Sequence, residues 1–136
     1  MKRLLVVFVL LVPFLVAAGC SGRPAGFPDL GKVAGTVTVD GKPTADLIVQ
    51  FTPEQGGRPS SGKTDASGQY KLYYTGDAAG AIVGKHKVTV SAFFEPDPNK
   101  TDLTFNAEKV LPKKYSDQKL EFEVKSGSNT FDINFK

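Results

Sequence analysis

The amino-acid sequence predicts an all-β domain, a seven-stranded β-sandwich of two packed sheets, and three observations carry that prediction. Seven segments between Val33 and Lys136 alternate apolar and polar residues, so each would bury one face and wet the other. Fourteen glycines and nine prolines in 136 residues punctuate the chain at short intervals, as frequent turns require. No segment repeats its apolar residues with the 3.6-residue period of an amphipathic helix. Half-buried strands this short pack face to face, sheet on sheet.

The first strand places Val33, Gly35, Val37 and Val39 on one face, and Asp40-Gly41-Lys42-Pro43 ends it as a tight turn. Leu47 to Thr52 is nearly continuous in its apolar residues, as in a strand at the centre of a sheet. A short strand near Gly62–Thr64 turns through Asp65-Ala66-Ser67-Gly68 into Gln69–Tyr74, where Tyr70, Leu72 and Tyr74 share a face. Asp65 is expected to accept hydrogen bonds from amides two or three residues on, and Gly68 to supply a positive φ. The fifth strand is the longest expected, with His86, Val88, Val90, Ala92 and Phe94 facing one way. Lys85, Lys87, Thr89, Ser91 and Phe93 face the other. Leu120, Phe122 and Val124, then Ser126-Gly127-Ser128-Asn129, then Phe131, Ile133 and Phe135, are expected to form a terminal hairpin.

The N-terminus reads differently. Lys2 and Arg3 precede an unbroken apolar run from Leu4 to Ala18. As a helix it would reach roughly 22 Å, short of the ~30 Å hydrocarbon core, and Pro13 weakens it further. Charge, a short apolar stretch and then small residues form the pattern of a signal peptide. Ala17-Ala18-Gly19-Cys20 resembles the bacterial lipobox, in which small residues precede a cysteine that is acylated and becomes the new N-terminus; Ala17 stands where Leu is usual. Residues 1–19 are therefore expected to be a lipoprotein signal peptide and Cys20 the lipidation site. The alternative is an ordinary signal with a free thiol left in the leader. Residues 20–32, rich in Gly and Pro, read as a flexible tether, with the domain spanning 33–136. Such lipoproteins carry more than one acyl chain, which anchors stably where a single chain does not. Ser21 sits where an Asp would mark inner-membrane retention in some bacteria, so the outer membrane of the cell envelope is favoured.

Charge and side-chain inventory exclude several functions. Seventeen basic residues face fourteen acidic ones, and loss of Lys2 and Arg3 with the leader brings the balance close to neutral. No clustered positive charge points to nucleic acid as a partner. One Cys makes no internal disulfide, and one His excludes any site built on two imidazoles from one chain. His86 is in phase with Val88 and Val90, so it reads as a packed or rim histidine and not as a catalytic base. Asp65 with Ser67, or Asp97 with Asp102, could offer oxygens to calcium, but their spacing fits turn chemistry better than a calcium loop. Gly56-Gly57 and Ser60-Ser61-Gly62-Lys63-Thr64 are not read as a phosphate loop, because Arg58 is taken to stand where the upstream glycine is required and no helix is expected to follow. Asn99-Lys100-Thr101 has the form of a glycosylation acceptor, read as accidental in a bacterial lipoprotein. No catalytic residue, metal or cofactor is expected. The segment Glu95 to Lys119 is longer than ordinary connections, and such segments are often functional. Its candidate contacts are Phe105, Lys109, Lys113, Lys114 and Tyr115, with Lys119 adding to the charge. The competing reading is a crossover strapped to the sandwich by Leu111, Pro112 and Tyr115.

Five motifs in order carry a family resemblance. Gly35-Thr36-Val37-Thr38-Val39-Asp40-Gly41-Lys42-Pro43 comes first, then Val49-Gln50-Phe51-Thr52-Pro53 and Thr64-Asp65-Ala66-Ser67-Gly68-Gln69-Tyr70. Gly84-Lys85-His86-Lys87-Val88-Thr89-Val90 and Leu111-Pro112-Lys113-Lys114-Tyr115 complete it. The chain resembles the carboxypeptidase regulatory-like family, and in particular small bacterial lipoproteins built from that domain. The resemblance covers nearly all of Val33 to Lys136 and implies a transthyretin-like Greek-key sandwich. It also implies a non-catalytic role, since in metallocarboxypeptidases this domain is an accessory beside the enzyme, and no catalytic partner domain is expected here. The expected function is that of a non-enzymatic, membrane-anchored envelope lipoprotein acting as a binding, adhesion or scaffold module for an envelope protein or polysaccharide. A glycan-binding protein is the second expectation, with Tyr73, Phe93, Phe105 or Tyr115 as the aromatic platform. A hydrolase of the transthyretin-related kind is the third. Those enzymes rely on several histidines and a characteristic C-terminal motif, which the ending Phe131-Asp132-Ile133-Asn134-Phe135-Lys136 does not match.

Overall fold

A computed structural model describes residues 25–96, 98–99 and 105–136. Residues 1–24, Cys20 among them, and Asp97 and Asp102 lie outside them. The described chain is an all-β sandwich of two sheets. The first is organised around β1 (Leu30–Val39), which pairs antiparallel with β2 (Lys42–Pro43), β5 (Gln69–Lys71) and β6 (Ala81–Ile82). On its other side β1 pairs parallel with β9 (Gly127–Thr130) and β10 (Ile133–Phe135). The second sheet has the order β4 (Ser60–Lys63), β3 (Leu47–Pro53), β7 (Gly84–Ala92), β8 (Leu120–Val124), all antiparallel.

The described residues thus form ten strand segments where seven strands were expected, and the difference has a local cause. β1 is continuous, but its neighbours arrive in pieces. Between β9 and β10 the ladder is interrupted at Phe131-Asp132, where the Asp132 carboxylate replaces a backbone acceptor and takes the Thr36 amide at 2.9 Å. Turn chemistry follows the sequence closely. Asp40 and Gly41 both have positive φ (50° and 79°) between Val39 and Lys42, the two-residue hairpin turn that Asp-Gly favours.

The terminal hairpin does not form. Leu120–Val124 joins β7 in the second sheet, whereas Ile133–Phe135 crosses to β1 in the first. The crossing is pinned by Asn129. Its side chain accepts from the Lys125 amide (2.9 Å) and donates to the carbonyls of Lys125 (2.8 Å) and Lys32 (3.1 Å). These bonds satisfy backbone groups that the corner takes out of either ladder. Alternation identifies a strand with one buried face; it does not say which sheet that strand joins.

The two inner faces meet over Val33, Val37, Leu47, Val49, Phe51, Leu72, Val88, Val90, Val124, Ile133 and Phe135. Phe122 and Phe131, brought together from opposite sheets, stack at 4.6 Å between ring centres, and each lies 6.0 Å from the fully buried Phe51 ring. The long segment after β7 contains two single-turn helices, α1 (Ala107–Val110) and α2 (Lys113–Ser116), where no helix was expected. It is strapped down as the crossover reading held. Leu111 is buried, and Tyr115, only 2% exposed, stacks on Phe135 at 5.1 Å and donates its hydroxyl proton to Asp40 at 2.5 Å. Phe94, placed by alternation on the buried face, instead lies beyond the end of β7 and is 42% exposed.

Candidate functional site

The outer face of the first sheet holds a polar groove. Because side chains alternate, burial of Val33 and Val37 turns Lys32, Ala34 and Thr36 of β1 outward. Register sets Lys71 and Thr130 on either side of Ala34, Gln69 beside Thr36, and Ser128 beside Lys32. Small residues on the central strand between longer ones on its neighbours make the trough. Two adjoining depressions, about 820 and 380 Å³, share Ala34, Lys71, Tyr73 and Thr130. Tyr73, 45% exposed, stands in the wall, one place past the buried Leu72.

Lys63, Asp65 and Asp132 complete the lining at the end toward Thr36 and Gln69. The edge of the second sheet reaches the groove because Gly62 has no side chain, since a Cβ there would lie 2.1 Å from the Lys71 carbonyl oxygen. The Lys63 ammonium is held by Asp46 at 3.0 Å and sits 4.1 Å from the centre of the Phe93 ring. Below the groove the Tyr70 hydroxyl donates to the Phe131 carbonyl at 2.7 Å. Burial, with the Asp132 charge adding to it, pushes the phenol pKa up, so Tyr70 stays a neutral donor.

Asp65 organises the turn at this end. One carboxylate oxygen accepts from the Ser67 hydroxyl (2.7 Å), the Ser67 amide (2.9 Å) and the Gln69 amide (3.0 Å), so the amides used are two and four residues on. Gly68 has the expected positive φ, 75°. The Ser67 hydroxyl first, then the Gln69 amide, hold the carboxyl below its ordinary value of 3.8. A depressed folded-state pKa contributes stability that is fully present above the unfolded value and lost as pH falls through the folded one. Asp65→Asn keeps the acceptor and removes the charge. The melting-temperature gap between wild type and Asp65→Asn should therefore be constant near neutrality and close below about pH 3.8. A gap that widens on acidification would contradict this assignment.

The loop candidates are not brought into this groove. Tyr115 is core, and Lys114 lies over its ring at 4.3 Å. The Lys114 pKa is raised, first by hydrogen bonding to Tyr115 and also by attraction to Asp40. Lys109 and Lys113 are exposed on the two short helices. Phe105, 37% exposed, packs on Phe94 at 4.6 Å, apart from the groove. Of the four aromatic platforms expected, Tyr115 is withdrawn by burial, and Tyr73 lines the groove. Sequence reasoning did not find Lys32, Ala34, Thr36, Lys71, Ser128, Thr130 or Asp132. Their signal was the wet phase of three strands far apart in the chain.

His86 is 1% exposed; its Nε2 lies 2.6 Å from the Ile82 carbonyl, so that nitrogen carries the proton, and Nδ1 has no partner among the described residues. Gly57 to Thr64 does have the residue spacing of a phosphate loop, but Ser60–Lys63 is strand β4 on β3, and the Asp65 turn leads to β5, not to a helix. Among the described residues no three His, Cys, Asp or Glu side chains gather as a metal site, and no helix is long and apolar enough to cross a membrane.

The architecture defines a β-sandwich with a polar groove on one outer face. No protein-family model and no curated protein matches the chain. Among solved structures, the crystal structure of a DUF3823 family protein from Parabacteroides merdae is similar, at 12% identity and a TM-score of 0.44. The alignment covers 79% of this chain and 46% of that one, so this chain spans about half of that protein's length. A likeness this loose carries no argument about function.

Proposed function

We propose that this protein is a non-enzymatic envelope lipoprotein, a membrane-tethered β-sandwich that binds a ligand or partner on the outer groove of its first sheet. The groove is the observation that carries the reading, because it gathers exposed polar side chains from three strands onto one surface. The Ala17-Ala18-Gly19-Cys20 motif supports the tether, and Ser21 favours the outer membrane. The resemblance to carboxypeptidase regulatory-like domains, with their transthyretin-like fold, supports an accessory role without turnover. His86 is sealed in the core. Asp65 is held ionised, whereas a carboxyl acting as general acid needs a raised pKa.

Cys20→Ser tests the tether. The variant should accumulate as an unprocessed, unacylated precursor, read by metabolic labelling with a fatty acid and by mass; normal acylation would overturn the assignment. Crosslinking in intact cells followed by pull-down tests the binding role. A partner recovered with the wild type and lost in the unanchored variant supports it, and robust turnover by the purified protein, abolished by one groove substitution, would sink it.

A further inference from the structure

We propose that the groove takes a linear, carboxylate-bearing polysaccharide, with Tyr73 stacking on a sugar face and Lys32 and Lys71 pairing with the carboxylates. This deepens the binding-module reading and rests on it. Five observations favour this occupant.

The floor strand β1 is flanked by β6 and β5 on one side and by β9 on the other, so the floor of the trough offers no free edge for an extended peptide to join. Whatever lies here is read by side chains alone. Those side chains are hydroxyls (Thr36, Ser128, Thr130), an amide (Gln69) and ammoniums, the donors and acceptors that match a hydroxyl-rich ligand. The trough is open along the sheet, and Lys32 to Thr36 alone spans roughly 13 Å at strand rise, room for consecutive sugar rings.

Charge selects among glycans. The Lys32 and Lys71 ammoniums have no ion-pair partner among the described residues, whereas Lys63 is held by Asp46. Asp65 and Asp132 line only the larger depression, whereas the smaller one, with Tyr73, Ser128 and Thr130, holds Lys32 and Lys71 and no carboxylate. The charge at that end of the trough is therefore positive, and it complements an acidic chain. Two lysines are too few for a phosphate backbone. Tyr73, half exposed in the wall, offers a flat apolar face beside them.

The test uses the full-length chain in detergent with polygalacturonate as probe, by calorimetry, against neutral dextran, dextran sulfate and anionic phospholipid vesicles. Saturable binding to polygalacturonate is expected, weaker at high salt. Tyr73→Ala should weaken it about tenfold and Lys71→Gln about threefold. Lys85→Gln and Lys87→Gln, on the exposed face of β7 in the other sheet, should leave it unchanged. Tyr73→Phe keeps the ring and should retain binding, which separates loss of stacking from loss of fold. No binding, equal binding to dextran sulfate or vesicles, or equal loss in Lys85→Gln would overturn the proposal. A photo-crosslinker at position 73 that captures a protein in cells would also overturn it, while leaving the binding-module reading standing. No adduct at all there, with no polygalacturonate bound, would remove both.

Discussion

Gly35→Ala should cost the fold about 3–5 kcal/mol, close to the whole stability of a marginal domain. A methyl group at this position would sit 1.9 Å from the carbonyl oxygen of Phe131 and 3.0 Å from the Tyr70 ring. Neither neighbour can yield cheaply. The Phe131 amide is bonded to Ala34 at 2.9 Å, and its carbonyl accepts the Tyr70 hydroxyl. Moving Phe131 away therefore breaks the junction between β9 and β10 and leaves a buried phenol without an acceptor. Thermal unfolding followed by circular dichroism should show a fall of roughly 15–30 °C for a domain of this size. Gly76→Ala is the control, since nothing lies within 4 Å of the added atom and its φ is not left-handed. A Gly35→Ala protein as stable as wild type would mean that the chain does not approach β1 this closely at Phe131.

That junction also marks where the sequence stops being legible. Alternation and turn residues are local, and they located the buried faces of β1, β3 and β7, the Asp40-Gly41 turn, the Asp65 turn and the inward-facing His86. What they do not encode is which strands become neighbours. Phe122 and Phe131 are both in the apolar phase, and the same pattern fits a hairpin or a stacked pair reached from opposite sheets. Asn129 makes the second arrangement favourable by closing the corner, but an Asn after Ser-Gly-Ser reads equally well as a turn residue. The groove was hidden for the same reason. Lys32, Lys71 and Thr130 look like ordinary wet positions until register aligns them across β5, β1 and β9. The long segment was noticed for its length, and the four-residue step from Leu111 to Tyr115 was too short to declare the single turn of helix that carries Tyr115 into the core.

Phe51→Ala should destabilise by about 3–4 kcal/mol, toward the lower end of what a buried phenylalanine costs. The ring is fully buried at the meeting of the two sheets and touches Phe122, Phe131 and His86, the last at 5.7 Å between ring centres. Its loss removes the ring that joins His86 and Phe122, register partners on β7 and β8 of the same sheet, to Phe131 beside β1. Two features limit the penalty. Among the described residues, Ser60, paired in register with Phe51, has a buried hydroxyl without a partner, and His86 has a buried Nδ1 without one. A cavity opened between polar atoms can admit water and so recover hydrogen bonds that an apolar cavity cannot. Phe51→Leu should lose less than Phe51→Ala, because it leaves a smaller void and keeps those atoms dry. Urea unfolding of both variants measures the order directly. If Phe51→Leu were the worse of the two, water reaching the Ser60 hydroxyl and His86 Nδ1 in the larger cavity, and not the volume lost, would set the cost at this position.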